Sequence, residues 1–220
     1  AREVYIIEEP MAGAIGIELP VLDPVGCMVV DIGGGTTDIA VMSLGGIVQS
    51  KSIKLAGDKM NQDVIDYLRN EYKILVGEKT AEEIKISVGS VEVKSEGLEV
   101  TVRGRDLISG LPREIMITDR DIYEAIHSSV QVILDGVREV LETTPPEIVS
   151  DVINRGIFIT GGGAMIHGID KIISEAFKVP VHIPTEPLSA VARGCGIVLE
   201  DLEQYSQVLI KEDYVATFHS

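Results

Sequence analysis

Residues Val29 to Asp38, VVDIGGGTTD, set three consecutive glycines between an apolar run that ends in a carboxylate and a pair of threonines. Ordering three adjacent glycines is entropically costly, so such a turn persists where bare backbone is needed, and its N–H groups can approach an anion closely. That chemistry suits phosphate oxygens. Thr36 and Thr37 can add hydroxyl donors, and Asp31 is placed to hold a hydrated Mg²⁺, which keeps most of its waters and accepts only one or two carboxylates. The alternative reading of the same residues is a glycine-rich hairpin that binds nothing.

The surrounding pattern fixes the fold class. From Cys27 to Gly57 the chain reads strand, glycine turn, strand, Gly45-Gly46 turn, strand, an antiparallel meander. Before it, Val4 to Ile7 reads as a buried strand and Met11 to Gly16 as a short helix with Pro10 in its first turn. From Asp58 the period lengthens, with Met60, Val64, Leu68 and Tyr72 on one helical face and Gly77 as a stop; a second, more charged helix spans Thr80 to Ser87. Residues 91 to 117 alternate apolar and polar in VEVK, LEVTVR and REIMI, with a turn at Ser95 to Gly97, as edge strands of a small exposed sheet do. Thr118 and Asp121 form a capping box for a long amphipathic helix that Pro145-Pro146 closes. The last third alternates helix and strand: Pro146 to Asn154, the strand GIFIT, a GGG turn opening a helix, the strand VPVHI, and a helix from Pro187 to about Leu202. This rhythm predicts an α/β fold with a parallel or mixed sheet covered on its faces, and the two changes of class along the chain predict an inserted subdomain.

A second triplet, Gly161 to Gly163, also follows an apolar strand and precedes a helix, where an anion gains from the positive helix end. It fits neither GxGxxG nor GxxxxGK[ST], which disfavours a dinucleotide-binding or P-loop protein. Glu8 and Glu9 lie where strand gives way to helix. They read either as solvated charge at a helix start or as one acid able to orient a water.

Charge excludes further classes. With 19 Lys and Arg against 35 Asp and Glu the net charge is −16, which repels phosphate backbones, so no nucleic-acid partner is expected. No run reaches the ~20 apolar residues of a membrane span and the first residues lack a signal-peptide layout, so a cytoplasmic chain is expected. Cys27 and Cys195 are expected to be buried and unpaired. His127 and His167 lack neighbouring ligands and are expected to be non-catalytic, and the tail from 205 to 220 carries no motif and is expected to be disordered.

Taken together, EEPMAGAIG, DIGGGTTDIAV, AGDKMNQDVIDYL, GLPREI, TPPEIVSDVINRGIFITGGGAMIHGID and EPLSAVARGCGIVL resemble the MreB family of bacterial actins over nearly the whole chain. The resemblance implies an actin-like (ribonuclease H-like) ATPase fold: a mixed five-stranded sheet with flanking helices plus a small inserted subdomain. It implies that 20–75 and 119–186 form subdomain IIA and 76–118 subdomain IIB. Residues 1–19 would end the first domain and cross from it, and 187–204 would be a C-terminal helix packed toward it. It implies ATP and Mg as cofactors. Gly33, Gly34, Gly35, Thr36 and Thr37 would form the second phosphate loop, Asp31 would act on Mg through water, and Glu9 would position the attacking water. Glu82 and Lys85 would lie near ribose and adenine, with Gly161, Gly162 and Gly163 lining the adenosine pocket.

The resemblance further implies head-to-tail self-association into filaments, with IIB on one longitudinal face, and work with rod-complex and cell-wall synthesis proteins at the inner membrane. Relative to that family the first third, with its Asp-Gly-Thr phosphate turn and most membrane contact, is missing, so the isolated chain is expected to bind and hydrolyse nucleotide poorly. A sugar kinase or a DnaK-type chaperone ATPase of the same superfamily is the competing expectation.

Overall fold

The computed structural model describes residues 3–92 and 97–210. The first helix, α1 (Glu9–Gly16), carries Pro in its first turn, where a missing N–H costs nothing. The meander follows as β1 (Cys27–Ile32), β2 (Thr37–Ser43) and β3 (Gly46–Ile53). Then come α2 (Gly57–Tyr67), continued by one π-helical turn at Leu68–Tyr72, β4 (Ile74–Leu75), α3 (Glu78–Val88), β5 (Glu99–Asp106) and β6 (Pro112–Thr118). The remainder is α4 (Asp119–Thr143), α5 (Pro146–Arg155), β7 (Ile157–Thr160), α6 (Ile169–Phe177), β8 (Val181–His182) and α7 (Ala190–Glu200).

Five strands form one sheet in the order β3-β2-β1-β7-β8. β1 and β3 flank β2 antiparallel, whereas β1, β7 and β8 run parallel, so the sheet is mixed as expected. Its two faces bury different side chains because a strand alternates with period two. Met28, Val30, Ile32, Ile39 and Val41 face the larger core under α2 and α4, while Val29, Ala40 and Met42 face α1 and α7. Each fully buried Ile or Met contributes roughly 1.5–3 kcal/mol. The two helices on the second face cross at backbone contact, since a Cβ added to Gly16 would lie 1.8 Å from Ala190 O and one on Gly194 1.8 Å from Ala12 O.

A separate three-stranded antiparallel sheet, β4-β5-β6, packs with α3 beside the larger core through Val102, Ile115 and Ile117. From β6 the chain enters α4 through Thr118, whose Oγ1 accepts from Asp121 N (3.3 Å) while Asp121 Oδ2 accepts from Thr118 N (2.8 Å). This is the expected capping box, worth about 1 kcal/mol.

Several local expectations are corrected. Val4 to Ile6 are exposed and form no buried strand; Ile7 makes a single bridge to Leu209. That bridge, with the 3₁₀ turn Ser206–Val208, gives the start of the expected disordered tail a defined place, while 211–220 lie outside the described residues. VEVK contributes no strand at Val91 and Glu92, and the rest of it, with most of the Ser95–Gly97 turn, also lies outside them. The third strand is instead the two-residue β4. The second hairpin turns at Leu44-Gly45, one residue earlier than read, because both adopt positive φ (53° and 73°). The GGG turn opens a 3₁₀ turn, Gly162–Met165, and α6 starts only after Gly168. Cys27 is buried but Cys195 only half-buried.

Candidate functional site

The carboxyl ends of parallel β1 and β7 open into a cavity of about 550 Å³, where ligands of open α/β sheets bind. Strand alternation brings acids there. Asp31 shares the face of Val29, and its register partner across the hairpin is Asp38, so both carboxylates project toward α1, whose first residue is Glu9. Asp31 is only 5% exposed, and Thr160 donates its hydroxyl to Asp31 Oδ2 at 2.8 Å. Burial pushes the Asp31 carboxyl above its ordinary value against the Thr160 bond, which lowers it, and Asp38 adds to the rise. Glu9 on the rim is also raised, first by desolvation and then by Asp31 and Asp38.

The first glycine triplet is shaped from outside the pocket. Gly33 N donates to Thr36 O (3.0 Å), while Gly33 O and Gly34 O accept from Gly57 N (3.1 Å) and Asp58 N (2.8 Å). These acceptors satisfy two of the free N–H groups that every helix start leaves, here at α2, whose N-cap Ala56 offers no side chain. Because a trans peptide sets N–H opposite C=O, the Gly34 and Gly35 N–H groups point away from α2 and remain available to an anion. Gly33 and Gly34 line the cavity; Gly35, Thr36 and Thr37 do not. Thr37 departs most from the expected role: it is fully buried and its hydroxyl donates to Leu55 O at 2.7 Å, tying β2 to the start of α2 instead of offering a proton to a ligand.

Across the cavity stand Glu82 and Lys85 of α3 and the second triplet, all three glycines of which line it. Gly161 N is fixed by Pro187 O (3.0 Å). Lys85 donates from Nζ to Gly57 O at 3.1 Å, and burial holds its ammonium pKa below the ordinary value, opposed by Glu82 and Asp58. Glu9 lines the cavity and Glu8 does not.

Sequence reasoning missed the remaining wall. Asp58 was read only as a helix start, and Ile86, Met165 and Leu188, exposed at 73%, 63% and 68%, form an apolar lip with Ile166 and Val191. Ile86 had a signal, since it lies four residues after Glu82 on an otherwise charged helix face; Met165 and Leu188 had none outside the fold. Among the described residues no three His, Cys, Asp or Glu side chains come close enough to hold a metal unaided. One buried carboxylate beside an anion-accepting turn nevertheless fits Mg²⁺, whose remaining ligands are waters and phosphate oxygens. No helix of the described residues is long and apolar enough to cross a membrane.

The chain is 48% identical over 203 residues to the cell shape-determining protein Mbl of Bacillus subtilis, covering 92% of this chain, and 45% identical over 213 residues to the cell shape-determining protein MreB of Escherichia coli, covering 97%. In both cases it spans 61% of the relative's length. Crystal structures of MreB5 of Spiroplasma citri bound to ADP and to AMPPNP, 38% identical, superimpose with TM-scores of 0.87 and 0.86 over 91% of this chain and 61% and 60% of theirs. The MreB/Mbl protein family model matches residues 1–207, and with an actin-like sheet and these relatives the chain belongs to the MreB/Mbl family.

Proposed function

We propose that the protein carrying this sequence binds Mg-ATP in the cavity at the ends of β1 and β7, hydrolyses it, and assembles head to tail into filaments that act in cell shape. The observation that carries this reading is the convergence on one cavity of a glycine loop with outward N–H groups, a buried carboxylate and a rim carboxylate. It is supported by a family member at 38% identity bound to ADP and AMPPNP. The Gly33–Gly35 backbone would receive the phosphates, Gly161–Gly163 with the lip of Ile86, Met165 and Leu188 would line the adenosine side, and Glu82 and Lys85 would lie near ribose and adenine. Asp31 holds Mg²⁺ through water, and the ion, when bound, neutralises charge on the phosphate oxygens. Glu9 orients the attacking water, so that catalysis is chiefly positioning and charge stabilisation.

In this reading 20–75 with 119–186 and the insertion 76–118 form the two parts of one domain, IIA and IIB. α1 and α7 face the other domain, which supplies the second wall of the cleft. The chain works in the cytoplasm at the inner face of the membrane with cell-wall synthesis proteins. Head-to-tail contact is heterologous and propagates instead of closing.

Calorimetric titration of Mg-ATP into this chain and into a full-length family member tests the reading. Saturable Mg-dependent binding, weaker in the 220-residue chain and lost in Asp31→Ala of either, is expected. Binding that ignores both Mg²⁺ and Asp31→Ala overturns it, as does phosphorylation of a sugar by the full-length protein.

A further inference from the structure

The three-stranded sheet and α3 stand between the end of α2 and the start of α4, so this unit joins the larger core through two connections, one leaving at Tyr72 and one returning at Thr118. One side chain holds both. Asp121 Oδ1 accepts from the hydroxyls of Tyr72 (2.8 Å) and Tyr67 (3.1 Å), while Asp121 Oδ2 accepts from the backbone N–H (2.8 Å) and the hydroxyl (2.7 Å) of Thr118. In an α-helix, residues five apart point about 140° apart, onto different faces. The π-helical turn Leu68–Tyr72, whose hydrogen bonds span five residues, brings Tyr72 over Tyr67 instead, with ring centroids 6.4 Å apart. Beyond it Lys73 takes a positive φ of 54° and passes the chain to the small sheet's own hairpin. There Leu107 N donates to Lys73 O (2.8 Å) and Arg113 Nη1 to Tyr72 O (3.3 Å). Tyr72 is thus gripped by its carbonyl from the small sheet and by its hydroxyl from α4. Desolvation works to raise the Asp121 carboxyl, yet the bonds from Thr118, Tyr72 and Tyr67 prevail and hold it below its ordinary value. Burial, and then the contact with Asp121, push the Tyr72 phenol up to about 12.

We propose that Asp121 is the lock of this joint: its two oxygens tie the outgoing and the returning connection to the first turn of α4, so that the small sheet and α3 keep one angle to the larger core. Asp121 lies outside the cavity and is a positioning residue. The unit it locks carries α3, from which Glu82 and Lys85 line the cavity, so the lock keeps that wall in place against the ends of β1 and β7. Two connections pinned separately would loosen separately. Two that share a carboxylate are coupled, and such coupling acts equally in both directions.

The test is amide hydrogen exchange on the 220-residue chain without ligand, read at Leu107 for the outgoing connection, at Thr118 for the returning one and in β1 for the larger core. Tyr72→Phe removes one hydroxyl and keeps the ring. It is expected to quicken exchange at both Leu107 and Thr118 about tenfold, the loss of roughly one hydrogen bond to a charged acceptor, and to leave β1 as it is. Thr118→Val, made at the other connection, is expected to quicken Leu107 as well. Quickening confined to one of the two amides in Tyr72→Phe shows separate anchors and overturns the proposal, as does no change at either. Equal quickening in β1 is an ordinary loss of global stability and also overturns it, and so does an unchanged Leu107 in Thr118→Val. Should Thr118→Val not fold, because it removes the cap of α4, Tyr67→Phe takes away the other hydroxyl on Asp121 Oδ1 and is read at the same two amides by the same criterion.

Discussion

The two glycine triplets look alike in sequence and differ in what surrounds them. At Gly161 a Cβ would meet Ile32 O at 2.4 Å and Asp31 Oδ1 at 2.6 Å, and at Gly163 it would meet Ile32 Cγ2 at 2.2 Å; Gly161 also takes a positive φ of 79°. In the first triplet the nearest atom to a Cβ is 3.3 Å away at Gly33 and 3.7 Å at Gly34, and at Gly35 nothing lies within 4 Å. Packing therefore requires glycine at 161 and 163, whereas at 34 and 35 the protein itself asks for nothing. Glycine retained in open space, with N–H groups turned outward, points to a ligand; glycine wedged under a strand end points to the fold.

The sharpest way to separate these roles is a pair of substitutions with opposite consequences. Glu9→Gln removes the rim carboxylate without touching either triplet. In the full-length context it is expected to slow ATP turnover by about 10²–10⁴-fold while nucleotide affinity and melting temperature hold. Turnover within a few-fold of wild type removes Glu9 from the reaction. Gly163→Ala is expected to do the converse, costing roughly 1–3 kcal/mol because Ile32 must shift in a packed core. Denaturant unfolding measures this, and a loss below about 0.5 kcal/mol, the range of surface changes, would mean the second triplet is no more constrained than the first.

Asp31 sits between the two turns and tests where they meet. Its folded pKa is raised above the ordinary 3.8, so the native chain binds more protons than the unfolded one as pH rises from that value to the raised one. Stability therefore falls across this window and stays lower at neutral pH, where the buried carboxylate is charged. Asp31→Asn keeps an acceptor for Thr160 and loses the charge. In the metal-free, nucleotide-free chain it is expected to melt higher than wild type at pH 7, with the advantage shrinking below about pH 4, where Asp31 is protonated in both states. An advantage that is larger in acid than at neutral pH contradicts the sign.

What could be read without the fold follows from how local each signal is. β1, β2, α1 and α4 declare themselves through period, Pro10 and the Thr118–Asp121 box, all encoded within a few residues. The run Val4 to Ile7 misleads because apolar composition does not say whether a partner covers it, and here solvent covers Val4 to Ile6 while only Ile7 packs against the core. Ile74–Leu75 is too short to show a period and becomes a strand only because Arg105 and Asp106 lie opposite. At the site, Asp31 and the glycines stand out by residue type. The Thr37 hydroxyl was misassigned because its acceptor, Leu55 O, is eighteen residues away, and the lip of Met165 and Leu188 arises from two turns that meet only in space.

The smallest structural effect gives the most pointed check on the comparison. Gly35 has no positive φ and open space where a Cβ would go, so alanine fits the backbone without strain and also restricts the unfolded chain. Gly35→Ala is therefore expected to change stability by no more than about 0.5 kcal/mol in either direction. Its methyl group would nevertheless stand beside an N–H that the proposed site offers to phosphate, and Mg-ATP affinity is expected to fall about tenfold, the loss of roughly one charge-assisted hydrogen bond. Calorimetric titration beside thermal melting separates the two quantities on one sample. If Gly35→Ala melts well below wild type, the first triplet is a packing device like the second and the contrast between them disappears. If it melts normally and binds as wild type does, the open glycines are not where the phosphates lie, and the anion must be held by the wall that carries Gly162.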